Sequence, residues 1–128
     1  MEGQAVIDVN DPKRFEKLSD GWIKDHREKK EWGPSSEKIL GPEGRKEFCA
    51  KLGGEEPTAA EAVSIINFEG KDCFFPVFAD TKTNDYYATK TEVAWSKSYV
   101  RIVYCGSGNV FYSNKDDKYY VRPVRASQ

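Results

Sequence analysis

The sequence predicts an α+β fold with two helices and a small, mainly antiparallel, twisted sheet. Short strand patterns come first, two helical segments follow, and strand patterns dominate from residue 86 onward. Because strands and helices occupy separate stretches of the chain, this order favours an α+β arrangement over alternating βαβ units.

Length and composition indicate a single globular domain over residues 1–128. The chain is 38% hydrophobic and 32% charged, which is too apolar for an intrinsically disordered protein. We expect residues 1–85 to form a scaffold that contains both helices, and residues 86–128 to form a strand-rich part that displays the ligand-binding surface. No apolar run approaches the roughly 18 residues of a membrane helix, so membrane insertion is not expected.

Charge and the amino-terminal residues limit the partners and the location. The opening MEGQAVIDVNDPKRF has no secretory signal pattern, so the chain is expected to be cytoplasmic, or displayed on a surface by a route the sequence does not show. Twenty basic residues against 21 acidic ones give a net charge of -1, and the basic residues of KDHREKKE alternate with acidic ones. This balance argues against a nucleic-acid partner, because general binding to the phosphate backbone depends on a basic surface.

Cysteine and histidine usage gives no metal or cofactor site. Cys49, Cys73 and Cys105 are odd in number and widely spaced, so the sequence predicts three reduced thiols and no metal-binding pair. His26 is the only histidine and lies in a charged run, where a solvated surface position is expected. We therefore expect no cofactor.

Two short strand patterns precede the helices. The segment QAVIDVN ends at an Asn-Asp-Pro turn signal, and DGWIKD opens with a turn pair and continues as a strand. The glycines and prolines between residues 33 and 44 predict a loop around Trp32, which we expect to be a buried anchor.

The first helix is predicted from about Pro42 to Leu52. Proline suits the first turn of a helix, and the Gly53-Gly54 pair provides the stop. Phe48 and Leu52 are four residues apart, so we expect them to share the apolar face.

The second helix begins at PTAAEAVSIINF. Thr58 and Glu61 have the spacing of a capping box, in which each side chain accepts a hydrogen bond from the other residue's backbone N–H. The residues expected on its apolar face are Ala59, Ala62, Val63 and Ile66.

Extended structure is predicted for the rest of the chain. CFFPVF, residues 73–78, is apolar but interrupted by Pro76, so it is a buried extended segment or an edge strand. The turn CGSGN is expected to join the second and third of the strands that follow, and SNKDD the third and fourth. Those four predicted strands are residues 86–89, 99–104, 109–112 and 119–124.

Tyrosine is confined to the carboxyl-terminal part. All seven tyrosines lie between residues 86 and 120, but only one of the seven phenylalanines does. Tyrosine mixed with serine, glycine and asparagine is typical of recognition surfaces, although tyrosine is also common in ordinary strands. From residue 95 to residue 125 there are six basic and two acidic residues, a local charge of +4 that could suit an anionic ligand.

Several motifs resemble a known family. EPTAAEAVSIINF, PVFADTKTNDYYATKT and GNVFYSNKDDKYYVRPVR are similar in order to the domain at the end of a bacterial collagen-like adhesin, which has a C-type-lectin-like fold. With RFEKLSDGWIKDHREKKEW the resemblance spans about residues 14–125. Two elements depart from the pattern: YYAT replaces an aromatic-Trp-Ser-Ser element, and GGEEPT lacks a Trp-Arg-Leu.

The same ending resembles the variable proteins of diversity-generating retroelements, and the lysine- and glutamate-rich amino half is similar to the archaeal ones. Family members often read GNVNNNNKNNNNYVRPVR, where adenine-directed mutagenesis rewrites the Asn codons but cannot produce Lys, Glu or Trp. Lys115 occupies the position of the lysine that does not vary in this pattern. Lys118 occupies a variable position, but lysine is not among the residues that the mutagenesis can produce there. The other variable positions, called here the candidate variable slots, all carry residues that the mutagenesis can produce: Phe111, Tyr112, Ser113, Asn114, Asp116, Asp117 and Tyr119.

These resemblances imply a non-enzymatic recognition domain for a protein or glycan ligand. Its mechanism would be aromatic anchoring with a polar border on a rigid sheet. The expected ligand-binding residues are Tyr99, Arg101, Tyr104, Asn109, Phe111, Tyr112, Ser113, Asn114, Asp116, Asp117 and Tyr119.

Three alternative functions are considered. Formylglycine-generating enzymes share the broad fold, but Cys73 and Cys105 lack a catalytic signature and only His26 could act as a base. A calcium-dependent lectin lacks support, because the EPN, QPD and WND elements are absent and Asp116-Asp117 supply too few oxygen ligands. Calcium-independent binding of a sulfated polysaccharide, as in the adhesin relatives, stays open because of the local positive charge.

Overall fold

The computed structural model describes residues 13–127, and the predicted strand QAVIDVN lies outside them. The fold is α+β, with two helices and two small antiparallel sheets instead of the single sheet expected. In the described part of the chain, neither helix has the length and hydropathy to cross a membrane. The elements in chain order are β1 (Phe15–Lys17), β2 (Ile23–Asp25), β3 (Lys30–Trp32), α1 (Pro42–Lys51), α2 (Ala59–Ser64), β4 (Tyr86–Val93), β5 (Ser96–Tyr104), β6 (Asn109–Asn114) and β7 (Val124–Ala126).

The four-stranded sheet joins the two ends of the described chain. Its order is β1-β2-β3-β7, and every pair is antiparallel. β2 confirms the strand predicted from DGWIKD, and Trp32 is a buried anchor as expected. The prediction of a loop around Trp32 was wrong for β3, because the carboxyl-terminal β7 supplies a partner that the local sequence does not reveal.

The three-stranded sheet has the order β4-β5-β6 and is also antiparallel. All three strands were predicted, and each one extends beyond its predicted bounds. The turn CGSGN connects β5 to β6, as expected. β4 and β5 change register between Ala88 and Glu92, which marks a bulge at the Trp95 end of the sheet.

The predicted fourth strand, residues 119–124, is a bridge between the two sheets. Tyr119 exchanges backbone hydrogen bonds with Leu40, and Tyr120 bonds to β4. Pro123 has no N–H to donate, so a regular ladder cannot continue through it. The chain then enters the other sheet as β7, which is why the strand prediction for this segment was wrong.

Helix α1 ends one residue before its predicted limit, and Gly53 adopts a φ of 87° just beyond it. This left-handed conformation is favourable for glycine and stops the helix. The expected apolar face was wrong. Arg45 and Cys49 are buried, whereas Phe48 is half-buried and Leu52 is exposed.

Helix α2 confirms the predicted capping box. The Glu61 N–H donates to Thr58 Oγ1 at 3.1 Å, and the Thr58 N–H donates to Glu61 Oε1 at 2.8 Å. Ala62 is buried, and Ile66 is buried just after the helix ends. Lys30 pairs with Glu61, which connects the helix to β3.

The main core lies between α2 and both sheets. Val103 and Tyr87 from the three-stranded sheet meet Trp32 and Val124 from the four-stranded sheet. CFFPVF supplies three buried phenylalanines while Pro76 is exposed, so it is a buried extended segment. A second, smaller cluster contains Ala88, Val100, Ile102 and Tyr119.

The two arginines of the YVRPVR ending form contacts within the scaffold. The buried Arg122 donates to the carbonyl of Gly33 at 3.0 Å and to Asp80 at 2.7 Å. Arg125 lies 3.8 Å from the centre of the Trp22 ring and pairs with two carboxylates. Both had been counted toward the local charge of +4. Without them, residues 95–125 contain four basic and two acidic side chains, a charge of +2.

The prediction of three reduced thiols was wrong. Cys73 and Cys105 form a disulfide, with their Cα atoms 4.9 Å apart, and only Cys49 is free. The two residues are separated by 32 positions, so no spacing rule brings them together. The fold places the buried segment after α2 against the end of β5.

Loss of the disulfide should destabilise the fold. Cys73→Ser with Cys105→Ser is expected to lower the free energy of unfolding by about 3 to 4 kcal/mol, because the unfolded chain gains the entropy of an open 32-residue loop. Urea unfolding of this variant and of the unreduced protein measures the difference. One reactive thiol should titrate in denaturant without reductant, and three after reduction; three before reduction would contradict the pairing.

Candidate functional site

The expected ligand-binding residues of β5 and β6 divide between two faces of the three-stranded sheet. Residues that pair directly across antiparallel strands share a face. Tyr104 pairs with Asn109 and Ile102 with Phe111 on one face, whereas Arg101 pairs with Tyr112 on the other. The first face also holds Ser113, and the second holds Tyr99 and Asn114. The single surface expected from the sequence is therefore two surfaces.

The first face borders a groove of about 570 Å³ beside the turn that follows β6. Its floor includes Ile102, which belongs to the smaller buried cluster. Aromatic rings and polar side chains from the turn form its walls, which is typical of a recognition site. The groove residues are Tyr86, Ile102, Phe111, Tyr112, Ser113, Asp117, Lys118 and Tyr119.

A row of aromatic rings crosses the groove face. The ring centres of Tyr86 and Tyr104 are 4.7 Å apart, and those of Tyr104 and Phe111 are 6.4 Å apart. Tyr86 was not among the expected binding residues, although it is exposed and pairs directly with Tyr104. Its position at the start of a predicted strand was the signal that could have identified it.

Tyr119 supports the groove from below. It is only 6% exposed, so the expectation that it is displayed was wrong. Its hydroxyl donates to the carbonyl of Asn114 at 2.8 Å. Burial raises the pKa of Tyr119, with a further contribution from the Asp117 carboxylate, and the phenol therefore stays a donor at neutral pH.

The turn after β6 presents its acidic side chains to solvent. Asp116 and Asp117 are both exposed, as expected. The Asn114 side chain accepts a hydrogen bond from the Asp116 N–H at 2.9 Å, which fixes the start of the turn. The Lys115 N–H donates to the carbonyl of Ser98, so the turn is also tied to β5.

Arg45 holds this turn from the scaffold side. Its guanidinium is buried and donates to the carbonyls of Lys115 and Asp117, each at 3.0 Å. It also donates to the Leu40 carbonyl and pairs with Glu56. Because the contacts with the turn are to backbone oxygens, they do not depend on which side chains the turn carries. Arg45 was not predicted from the sequence, since its position in a charged helix gives no sign of burial.

The second face carries a cluster around Arg101. Its guanidinium lies 5.5 Å from the Trp95 ring centre and 6.0 Å from that of Tyr112. Tyr112 also contacts Tyr99, and it borders both surfaces because β6 is the edge strand. Trp95 is 62% exposed and was not among the expected residues. The tyrosine pattern of residues 86–120 gave no indication of Trp95.

Reactive groups are sparse near either surface. His26 is exposed on the four-stranded-sheet side, where it contacts Glu16. Burial raises the pKa of the Cys49 thiol to about 12, so it is protonated at neutral pH. Within residues 13–127, no group of three or more His, Cys, Asp and Glu side chains could hold a metal ion.

No protein-family model matches this chain, and neither does any curated protein. The resemblance to C-type-lectin-like domains therefore has only the sequence motifs behind it. What the groove and the Arg101 face can bind is inferred from their own side chains.

Removal of the Arg45 guanidinium should weaken the turn and the fold together. Arg45→Met is expected to lower the free energy of unfolding by about 3 to 5 kcal/mol, because Glu56 and three carbonyls lose their buried donor. Arg27→Met is the matched control, since the Arg27–Glu28 pair is exposed and should contribute less than about 1 kcal/mol.

Urea unfolding gives the two free energies, and hydrogen exchange reports the backbone of residues 115–119. Faster exchange there is expected only in the Arg45 variant. Equal effects of the two substitutions would show that Arg45 does not hold the turn.

Proposed function

We propose that this chain is a non-enzymatic recognition domain of the C-type-lectin-like class, and specifically the variable protein of a diversity-generating retroelement. Its ligand is a protein or a glycan that contacts the groove and the turn after β6. One observation carries the proposal: the side chains of the candidate variable slots are mostly exposed, while their backbone is held mainly by contacts that are independent of those side chains, apart from the bond between the Asn114 side chain and the Asp116 N–H.

The exposure of the slots supports this reading. Phe111 and Tyr112 are 46% and 50% exposed, and with the exposed Tyr86 they give this part of the sheet an exposed aromatic patch of the kind that marks interaction sites. Asn114, Asp116 and Asp117 are also exposed. Tyr119 is the exception, so we exclude it from the proposed variable set, together with Lys118.

The backbone contacts explain how such a segment could vary without loss of structure. β6 is held by its ladder with β5, and the turn is held by Arg45 and by the Ser98 carbonyl. A fixed backbone also reduces the entropy lost on binding, which favours affinity. Recognition would then proceed by aromatic anchoring at Phe111 and Tyr86, with Ser113 and Asp117 supplying polar contacts.

The sulfated-polysaccharide alternative loses part of its support. It depended on the local charge of +4, but Arg122 and Arg125 are both engaged in ion pairs within the scaffold. We therefore favour recognition of a ligand in the groove over general binding of polyanions.

A substitution test addresses the tolerance of the slots. A combined Phe111→Ser, Tyr112→Ser, Asp116→Tyr and Asp117→Asn variant should lose no more than about 1 to 2 kcal/mol of unfolding free energy, because these side chains are exposed. Tyr119→Ser alone should lose about 3 kcal/mol or more, because it empties a buried site. Thermal and urea unfolding measure both, and the reverse order would contradict the proposal.

The neighbouring DNA tests the retroelement itself. We expect a near-identical template repeat beside a reverse transcriptase gene, with adenines at the codons for Phe111, Tyr112, Asp116 and Asp117. Sequencing the locus measures this directly. Identical codons in template and gene would exclude diversification and leave only a fixed recognition domain.

A further inference from the structure

Arg101 differs from the other arginines of the described chain. Within residues 13–127 it is the one arginine for which the structure shows no ion pair. Neighbouring Lys97, on the same strand, is exposed and also has no carboxylate partner there. The paired arginines are Arg14 with Asp25, Arg27 with Glu28, Arg45 with Glu56, Arg122 with Asp80, and Arg125 with Asp20 and Glu31.

The surroundings of Arg101 orient its guanidinium. It lies over both the Trp95 and the Tyr112 rings, and these cation–π contacts leave its N–H groups without a carboxylate. A guanidinium held in this way is suited to bind a carboxylate through two parallel hydrogen bonds, with little entropy left to lose.

The ring orientations decide between classes of anionic partner. Trp95 and Tyr112 are perpendicular at 90°, and Tyr99 and Tyr112 meet at 76°. Perpendicular rings do not form one continuous flat surface along which several sugar rings of a polysaccharide could stack. Tryptophan, tyrosine and arginine are, however, the residues that contribute most to protein–protein interfaces. A protein partner therefore fits this surface better than a polysaccharide.

We infer that Trp95, Tyr99, Arg101 and Tyr112 form a docking surface for an acidic protein segment. A carboxylate of the partner binds Arg101, and an apolar side chain packs against the exposed Trp95. Arg101 and Tyr99 lie on the face of the sheet opposite Phe111, and Tyr112 on the edge strand borders both surfaces. Trp95, Tyr99 and Arg101 lie outside the candidate variable slots of residues 111–119, so these three do not depend on the proposed function; Tyr112 is shared with it.

A ligand-free measurement tests whether the cation is available. Trp22 and Trp32 are buried, so Trp95 should account for most of the tryptophan emission that solutes can quench. Iodide should quench it less in Arg101→Gln, by about half, because the guanidinium raises the local anion concentration. Quenching by neutral acrylamide should not change. Equal iodide quenching in both proteins would overturn the proposal.

A binding measurement tests the partner class. A phage-displayed library of random linear peptides is selected on the intact protein alone, and Arg101→Gln is compared with it after both show the same melting temperature. We expect Asp- and Glu-rich peptides. A synthetic copy of a selected peptide should bind Arg101→Gln at least about tenfold more weakly, and Arg101→Lys should restore only part of the affinity.

Phe111→Ser is the matched control, because Phe111 lies on the groove face and should not affect this peptide. Loss of peptide binding in Phe111→Ser but not in Arg101→Gln would place the acidic ligand in the groove and overturn the proposal. Peptides without acidic enrichment would overturn it as well. Heparin binding that requires Arg101, with no acidic peptide selected, would assign the surface to a sulfated glycan instead. If the combined four-residue variant contradicts the proposed function, the results expected for these peptides stay the same.

Discussion

The buried segment from Tyr119 to Val124 is the constraint on which the rest of the structure depends. Its backbone bonds to Leu40 and Ser36 on one side and to β4 on the other, so it joins the two sheets. The Arg122 guanidinium adds bonds to the Gly33 carbonyl and to Asp80, across more than 40 positions of sequence in each case. A buried charge is stable only when its partners are in place, which makes this segment specific to one arrangement.

The same segment positions the recognition surface. The chain between Cys105 and Tyr119 is fixed at its start by the disulfide and at its end by the Leu40 ladder. Arg45 holds its second turn through backbone oxygens. The scaffold thus restrains a segment whose side chains it hardly contacts, and this separation of support from display is the physical basis of the proposed function.

The division of the sheet into two faces changes how the tyrosine-rich part is interpreted. Tyr87 and Tyr119 are core residues, whereas Tyr86, Tyr99 and Tyr112 are exposed. The tyrosines therefore include core positions, which strand propensity explains, and exposed positions, which are available for contact with a partner. The groove exposes Tyr86 and Phe111, whereas the Arg101 face exposes Trp95 and Tyr99, so the two proposed surfaces differ in their aromatic side chains.

The sequence by itself determined the local elements. The Thr58–Glu61 capping box, the stop at Gly53 and the strands of the three-stranded sheet follow from short-range chemistry, because each depends on residues a few positions apart. Only the tertiary structure decided the Cys73–Cys105 disulfide, the burial of Arg45 and the face on which Arg101 lies. These depend on contacts between distant segments, and a side chain's spacing along the chain carries no information about which distant backbone or carboxylate it will meet.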